Sequence, residues 1–489
     1  MNCLLSYFFY SQNTSTFLVK EEKKKNLIKN VFNKILDRAI CGVDSVKALW
    51  KPANFIVHLK QESSNQVFKD TKYSELKFDE ALTSYRNDVE ENLKQGPLKE
   101  EYKKIARKIM EQSMLPQAAK IMTRYLPTNH FNDSLSNQLQ LDRIAIEKNA
   151  HKAEQGILNK QGLKLCGELG VFFDPHMNGN LPFLIGTRDI NGSKVKVLRH
   201  AVPTIETVRV KVSEEYKAFL EDCKSRKSKI LYCCLLNPNK IREMKLIRIL
   251  HDIGSKYKDV FSFIRIPLDG ILSKVDNDES LDIYRKKIEL DIFNEINSPF
   301  TLKNEFIFGS KEIVEIVREN YKNISVFSYN CIVDVYRKKE DLLKNNPKEL
   351  KFLLKEKKQA FMMLFSSVLR SVLIEKLKIN YYGNVCKDAI DRASAHLTSD
   401  LIWDQFLTGD LKTESFKGRI SASWPAFMAK TQPVIKSRAD WGVSFVKWAE
   451  SALTLGFRPR ILKDYDKLLN IHVDKKVSFL DMFKDYWLK

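Results

Sequence analysis

The chain has 489 residues, enough for two or three domains, and 44% hydrophobic with 29% charged residues is the balance of a folded protein with a sizeable core. Only 17 Gly and 14 Pro, with no repeat at a fixed period, exclude a solenoid or a long low-complexity tail. A net charge of +21 attracts polyanions, which include nucleic acid, inositol phosphates and the anionic face of a membrane, and it does not choose among them, because Lys spread along the whole chain also suits an evenly solvated surface.

At the N-terminus, Leu4 to Tyr10 is apolar but short, with no basic residue ahead of it, so no signal peptide is expected. From about Lys20 to Glu154 apolar residues recur three and four apart, as in Leu27, Val31, Phe32, Ile35 and Leu36, which predicts a mostly helical N-terminal region over 1–155. From Gly162 the pattern changes. Asn191-Gly192 lies between Thr187-Arg-Asp-Ile and Lys194-Val-Lys-Val-Leu as the turn of a hairpin, and Val208-Arg-Val-Lys-Val reads as a strand. Strands and helices then alternate: Lys229 to Leu236 as strand, Ile241 to Ile253 as helix, Phe261 to Ile266 as strand, and Ile324 to Tyr336 as another strand. A long helix is predicted over Pro347 to Lys378, a short strand at Ile379 to Tyr382, and a helix over Ser394 to Phe406. The longest apolar region, Phe361 to Leu377, is interrupted by Ser366, Ser367, Arg370 and Glu375 and reads as a buried helix rather than a membrane span. The fold class expected is therefore an α/β catalytic domain over 156–489, with an inserted α/β subdomain around 213–346 as an option, preceded by the helical region.

The eight cysteines form no CxxC pair and the eight histidines no HExxH spacing, so no metal and no cofactor is expected. Unpatterned cysteines suit a reducing, cytoplasmic compartment, where a reactive thiol stays free. One cysteine stands in a distinctive setting: Ile379-Asn-Tyr-Tyr-Gly-Asn-Val-Cys386-Lys387-Asp388-Ala389-Ile390-Asp391-Arg392-Ala393-Ser394 is Cys-x5-Arg between a strand and an amphipathic helix. The same spacing at Cys331 to Arg337 is set aside, because Ile332, Val333 and Val335 continue a strand that cannot curl around a phosphate. A loop that opens a helix points backbone N–H groups inward as an anion nest, and the helix dipole adds partial positive charge. Thiols in such places ionise at roughly pH 3.5–7.5 and serve as nucleophiles. Arg392 can return across the loop to hold two phosphoryl oxygens with its planar fork. Asp391, or else Asp388, can protonate the leaving group; alternatively Asp391 pairs with Arg392 or caps the helix. Lys387, Ala389, Ile390 and Ser394 are expected to line the bound phosphate, with Arg199 and His200 forming a collar beside Arg188, Lys430, Lys436 and Arg438; the alternative is ordinary surface charge for the collar residues and an exposed loop lysine for Lys387. An acid at Asp174 in Phe173-Asp-Pro-His176 is a weaker option. Trp403, Trp424, Trp441 and Trp448 are expected in the core.

At these residues the chain resembles the Cys-x5-Arg phosphoinositide phosphatases. Asn-Val-Cys386-Lys-Asp388-Ala-Ile390-Asp391-Arg392 is similar to the Sac-domain and myotubularin loops, which carry both aspartates, and the lysine after the cysteine is similar to bacterial effector phosphatases of the SopB and IpgD type. The combination resembles the SidP type, which intracellular pathogens deliver into host cells. These families place Thr or Ser directly after the arginine; here Ala393 follows and Ser394 comes one later. The resemblance implies a phosphate loop of the protein-tyrosine-phosphatase kind, Cys386 as phosphocysteine-forming nucleophile, Arg392 as phosphate ligand, Asp391 as acid and Asp388 as the other loop carboxylate. It implies a phosphoinositide headgroup at an anionic membrane surface as partner, position 3 before position 4 as the phosphate removed, and an effector, peripheral to membranes, acting in virulence. The other readings are a phosphatase of soluble inositol phosphates or phosphotyrosine, and a non-catalytic basic protein that binds anionic membrane or nucleic acid, the latter disfavoured as a partner.

Overall fold

The computed structural model describes residues 66–111, 183–190, 193–199, 202–206, 210–268, 270, 272, 279–299, 304–386, 391–409 and 436–469. Its centre is a six-stranded sheet built from β1 (Phe183–Ile190), β2 (Ser193–Arg199), β5 (Ile230–Cys234), β6 (Phe261–Arg265), β7 (Ile307–Phe308) and β8 (Tyr381–Val385), in the order β1-β2-β8-β5-β6-β7. The strands β2, β8, β5 and β6 run parallel, and β1 and β7 close the two edges antiparallel. A separate small ribbon pairs β3 (Thr204–Glu206) with β4 (Val210–Val212).

Parallel strands are covered on both faces and therefore read as continuous apolar runs, as Ile-Leu-Tyr-Cys-Cys and Phe-Ser-Phe-Ile do here. The two-residue period still sorts them. Leu231, Cys233 and Leu235 face one core, and Ile230, Tyr232, Cys234 and Leu236 face the other. The second core is closed by α1 (Phe78–Gln95), α2 (Glu100–Glu111), α3 (Glu214–Ser225) and α4 (Ile241–Lys256). The first is closed by α5 (Leu281–Asn297), α6 (Lys311–Leu343), α7 (Pro347–Lys376), α8 (Asp391–Thr408), α9 (Lys436–Thr454) and α10 (Arg458–Leu469). Helices α6 and α7 form a long hairpin whose starts are set by side-chain caps: Ser310 Oγ accepts from the Ile313 N–H at 3.3 Å, and Asn346 Oδ1 accepts from Glu349 at 3.3 Å with Pro347 at the first helical position.

The helical N-terminal pair is not a detached module. Arg86 of α1 grips Glu215 of α3 through Nε (2.9 Å) and Nη2 (2.6 Å), and Glu111 at the end of α2 accepts from the Tyr381 hydroxyl and pairs with Lys196 at 2.9 Å. The boundary expected near residue 155 lies outside the described residues. The segment 213–346, which alternation allowed as an inserted subdomain, supplies β5, β6 and β7 to the one sheet. Ile324 to Tyr336 is a correction: it is not a strand but the middle of α6. Its β-branched residues suggested a strand, yet Val317, Tyr321, Ile324, Ser328, Ile332 and Val335 are buried at helical spacing, which places them on one face against α7. Phe361 to Leu377 is the buried helix expected, and among the described residues no helix is long and apolar enough to cross a membrane.

Candidate active site

Ligands of parallel sheets bind outside the carboxyl ends of the strands. At that edge here, β8 lies between β2 and β5 and ends at Val385, Cys386 follows it directly, and α8 begins at Asp391 with Arg392 and Ser394 in its first turn. The strand runs three residues further than the sequence pattern suggests and the helix starts three residues earlier, so Arg392 sits on a helix rather than in the loop. Lys387, Asp388, Ala389 and Ile390 lie outside the described residues, as do His200, Lys430, Trp424 and Phe173-Asp-Pro-His176.

Cys386 is buried, and Leu235, just past β5, ties its strand to Arg392. The Leu235 N–H donates to the Val385 carbonyl at 2.8 Å, and the Leu235 carbonyl accepts from Arg392 Nη1 at 2.8 Å. The same guanidinium forms a fork with Glu243 in the first turn of α4, Nη1 to Oε2 at 2.7 Å and Nη2 to Oε1 at 3.2 Å. Glu243 is held in turn by the Asn237 N–H at 2.7 Å and by Lys240 at 3.6 Å. Burial would push its carboxyl up; Arg392, the Asn237 N–H and Lys240 outweigh that and hold it below the usual carboxylate range.

Two further arginines end the neighbouring strands. Arg199 closes β2, and burial pulls its guanidinium down to about 10 against the opposing pull of the nearby Cys386 sulfur. Arg265 closes β6, donating from Nε to the Leu236 carbonyl at 2.6 Å and from Nη2 to Glu305 at 3.3 Å. The Cys386 thiol, the start of α8 and the ends of β2 and β6 with their arginines thus lie along one edge of the sheet, where the Arg392 fork is closed on Glu243. Burial pushes the Cys234 thiol up to about 12 and raises those of Cys223, Cys233 and Cys331 further still. Cys331 sits in mid-helix with its carbonyl accepting from Trp448 Nε1 at 3.1 Å, and Arg337 pairs with Asp334 at the surface, so the second Cys-x5-Arg match is neither loop nor, as expected, strand.

Below Cys386 a buried polar network joins the strand to the helix. Asp400 of α8 accepts from the Tyr382 hydroxyl and from Asn384 Nδ2 (2.9 Å), both on β8, and from Arg370 Nε of α7 at 3.1 Å. Arg370 also donates from Nη1 to His396 Nδ1 at 2.7 Å; arginine can only donate, so the imidazole carries its proton on Nε2, and burial with the Arg370 charge holds it neutral. Arg188, expected in the collar, is a correction: it is fully buried under the sheet, forked to Asp404 at 2.8 and 2.7 Å. Lys436 and Arg438 fall in the first turn of α9, and Trp403, Trp441 and Trp448 are core residues, as expected.

Sequence reasoning missed Glu243, Arg265 and Asp400. Glu243 carries no local signal, since its partner lies 149 positions away. Asp400 had one: an arginine inside the apolar run of α7 demands a buried carboxylate. Among the described residues no group of three or more His, Cys, Asp or Glu is placed to hold a metal ion. No family model, no curated protein and no solved structure matches the chain.

Proposed function

We propose that the chain is a cysteine phosphatase acting on a phosphate monoester of a phosphoinositide, at position 3 in preference to position 4, without a metal. The observation that carries this reading is the convergence of Cys386, Arg199 and Arg392 at the carboxyl edge of the parallel strands, with Arg392 at the start of α8. The Cys386 thiolate attacks phosphorus, the bond from phosphorus to the inositol oxygen breaks, and Asp391, with Asp388 as the other loop carboxylate, protonates the departing oxygen. Arg392 stabilises the charge that builds on the phosphoryl oxygens, and water then cleaves phosphocysteine to free phosphate and thiol. The resemblance of the loop to SidP-type phosphatases adds action at a membrane surface and export as an effector.

The test is phosphate release by wild type and Cys386→Ser from short-chain phosphoinositides, soluble inositol phosphates and a phosphotyrosine peptide, with chelator present. Chelator-resistant turnover lost on substitution is expected, with the 3-phosphate the best substrate. A folded wild type that releases nothing from any of them would overturn the reading in favour of a non-catalytic basic protein that binds anionic membrane or nucleic acid.

A further inference from the structure

Helices α6 and α7 run for 33 and 30 residues, and the end of their hairpin stands clear of the body: from Arg337 to Glu356 every residue except Leu353 is exposed or partly exposed. Leu342, the last residue but one of α6, is 83% exposed, and Phe352, in the second turn of α7, is 65% exposed. The two share a side of the hairpin. Leu342 lines a shallow groove with Lys338, Glu356 and Leu455, the residue after α9, itself 49% exposed. Phe352 lies four residues before Glu356, hence on the same stripe of α7 and one turn nearer the tip. A surface helix ordinarily turns charge outward, so three large apolar side chains gathered on one side of a projecting end mark a contact surface.

The charge around them selects the partner. Between Lys338 and Lys355 six lysines stand against Glu340, Asp341 and Glu349. Glu340 is taken by the buried Lys357 and Asp341 by Lys344 at 2.7 Å, while Glu356 is occupied by the Tyr336 hydroxyl at 2.8 Å, Lys447 at 3.2 Å and Lys339 at 4.0 Å. Among the described residues Lys338, Lys348 and Lys355 have no carboxylate partner, which leaves three ammonium groups against the carboxylate of Glu349. Each apolar side chain of the hairpin has one of them a turn away: Lys338 precedes Leu342 by four residues, Lys348 precedes Phe352 by four, and Lys355 follows Phe352 by three. Lysine is depleted from protein–protein interfaces, where its charge must be desolvated. At an anionic bilayer the ammonium groups stay among hydrated acidic headgroups while the apolar side chains beside them enter the acyl margin. Because the end projects, Leu342 and Phe352 can reach that margin with the body of the protein still in water. A two-fold pairing with a second copy would instead set lysines against lysines.

We propose that the end of the α6–α7 hairpin docks the protein on an anionic lipid bilayer, with Leu342 and Phe352 in the acyl margin and Lys338, Lys348 and Lys355 among the headgroups. This stands apart from the phosphatase reading and is tested without a phosphoinositide. The full chain is sedimented with phosphatidylcholine vesicles that contain or lack phosphatidylserine. Wild type is expected to bind the phosphatidylserine vesicles selectively, and Leu342→Glu/Phe352→Glu to lower the bound-to-free ratio at least about tenfold with an unchanged circular dichroism spectrum. Lys338→Gln/Lys348→Gln/Lys355→Gln, which keeps both apolar side chains, is expected to lower it at least about tenfold as well, and to make the binding that remains less sensitive to salt than that of wild type. Cys386→Ser is expected to bind as wild type does, which separates docking from chemistry. Absence of selective binding by wild type, wild-type binding by either hairpin variant, or a wild-type dimer that Leu342→Glu/Phe352→Glu dissociates in light scattering, would each overturn the proposal, the last by making the hairpin end an interface between copies.

Discussion

Glu243 holds Arg392 through both carboxylate oxygens, at 2.7 and 3.2 Å, across 149 positions of sequence. A guanidinium at a helix start can adopt many rotamers, and this fork, with the Leu235 carbonyl behind it, fixes one. Glu243→Gln keeps the shape but removes the charge and one acceptor. We expect it to lower kcat/KM on a short-chain phosphoinositide about 10–100-fold by loosening Arg392, and to cost about 1–3 kcal/mol in urea denaturation. Wild-type kinetics in a folded Glu243→Gln protein would show that Arg392 is positioned by something else.

The same pair gives the fold an acid limb. Glu243 and Asp400 both have folded pKa values below their ordinary 4.5 and 3.8, Glu243 because Arg392 and its other donors outweigh burial and Asp400 because Arg370 and Arg188 do. The unfolded chain therefore binds more protons at acidic pH, so their contribution is complete above about pH 4.5 and is lost as pH falls through the folded values. Urea midpoints measured from neutral to acid pH should fall on the acid side, and Glu243→Gln should flatten that fall.

Among the described thiols, four are held protonated by burial, with Cys234 at about 12 and the others higher. Alkylation by iodoacetamide at neutral pH should therefore fall on Cys386 within this part of the chain, and inorganic phosphate should protect it. Peptide mapping by mass spectrometry checks this. Equal labelling of Cys233 and Cys386 would remove the ground for treating Cys386 as special.

Most of the sheet is legible from local pattern, and the site only in part. β5, β6, the β1–β2 hairpin, α4 and α7 follow from apolar runs and turn residues, because each lies in an environment its own composition demands. The reading failed at Ile324 to Tyr336, where β-branched residues outvoted a helical burial period that only packing against α7 and α9 makes decisive. Cys386 and Arg392 stand out in sequence by their spacing between a strand and a helix, and the structure places one just past the end of β8 and the other in the first turn of α8. Glu243 does not stand out, since a lone glutamate in a first helical turn is commonplace and only the fold brings it to Arg392. Arg188 was misassigned for the same reason: as sequence it is one more basic residue after a hairpin turn, and only Asp404 explains its burial.

Arg370 donates to Asp400, His396 and Ser367 with its whole guanidinium buried, so it joins α7 to the helix that carries Arg392. Arg370→Met fills similar volume but leaves Asp400 a buried charge without its main cation. A loss of about 3–5 kcal/mol is expected by urea denaturation. Arg370→Met/Asp400→Leu, which removes both charges, should recover most of that loss; failure to recover any of it would mean that volume rather than charge balance is what the pair supplies.

Arg199 shows the opposite balance. Its guanidinium is buried at the end of β2, and its pKa is pulled down to about 10 by burial, with Cys386 opposing. For a base whose folded value lies below its unfolded one, the unfolded chain binds more protons between the two, so the charge costs stability at neutral pH and the cost is relieved only as pH rises past about 10. A charge buried beside the Cys386 thiol suits the binding of an anion. Arg199→Leu should still fold in phosphate-free buffer. The same variant should lose the rise in Tm that inorganic phosphate gives wild type, a rise of about 2.7 kcal/mol in stability at a hundred times Kd. Melting curves with and without phosphate decide it. A variant less stable than wild type that still responds fully to phosphate would make Arg199 a structural residue and move the anion site away from the end of β2.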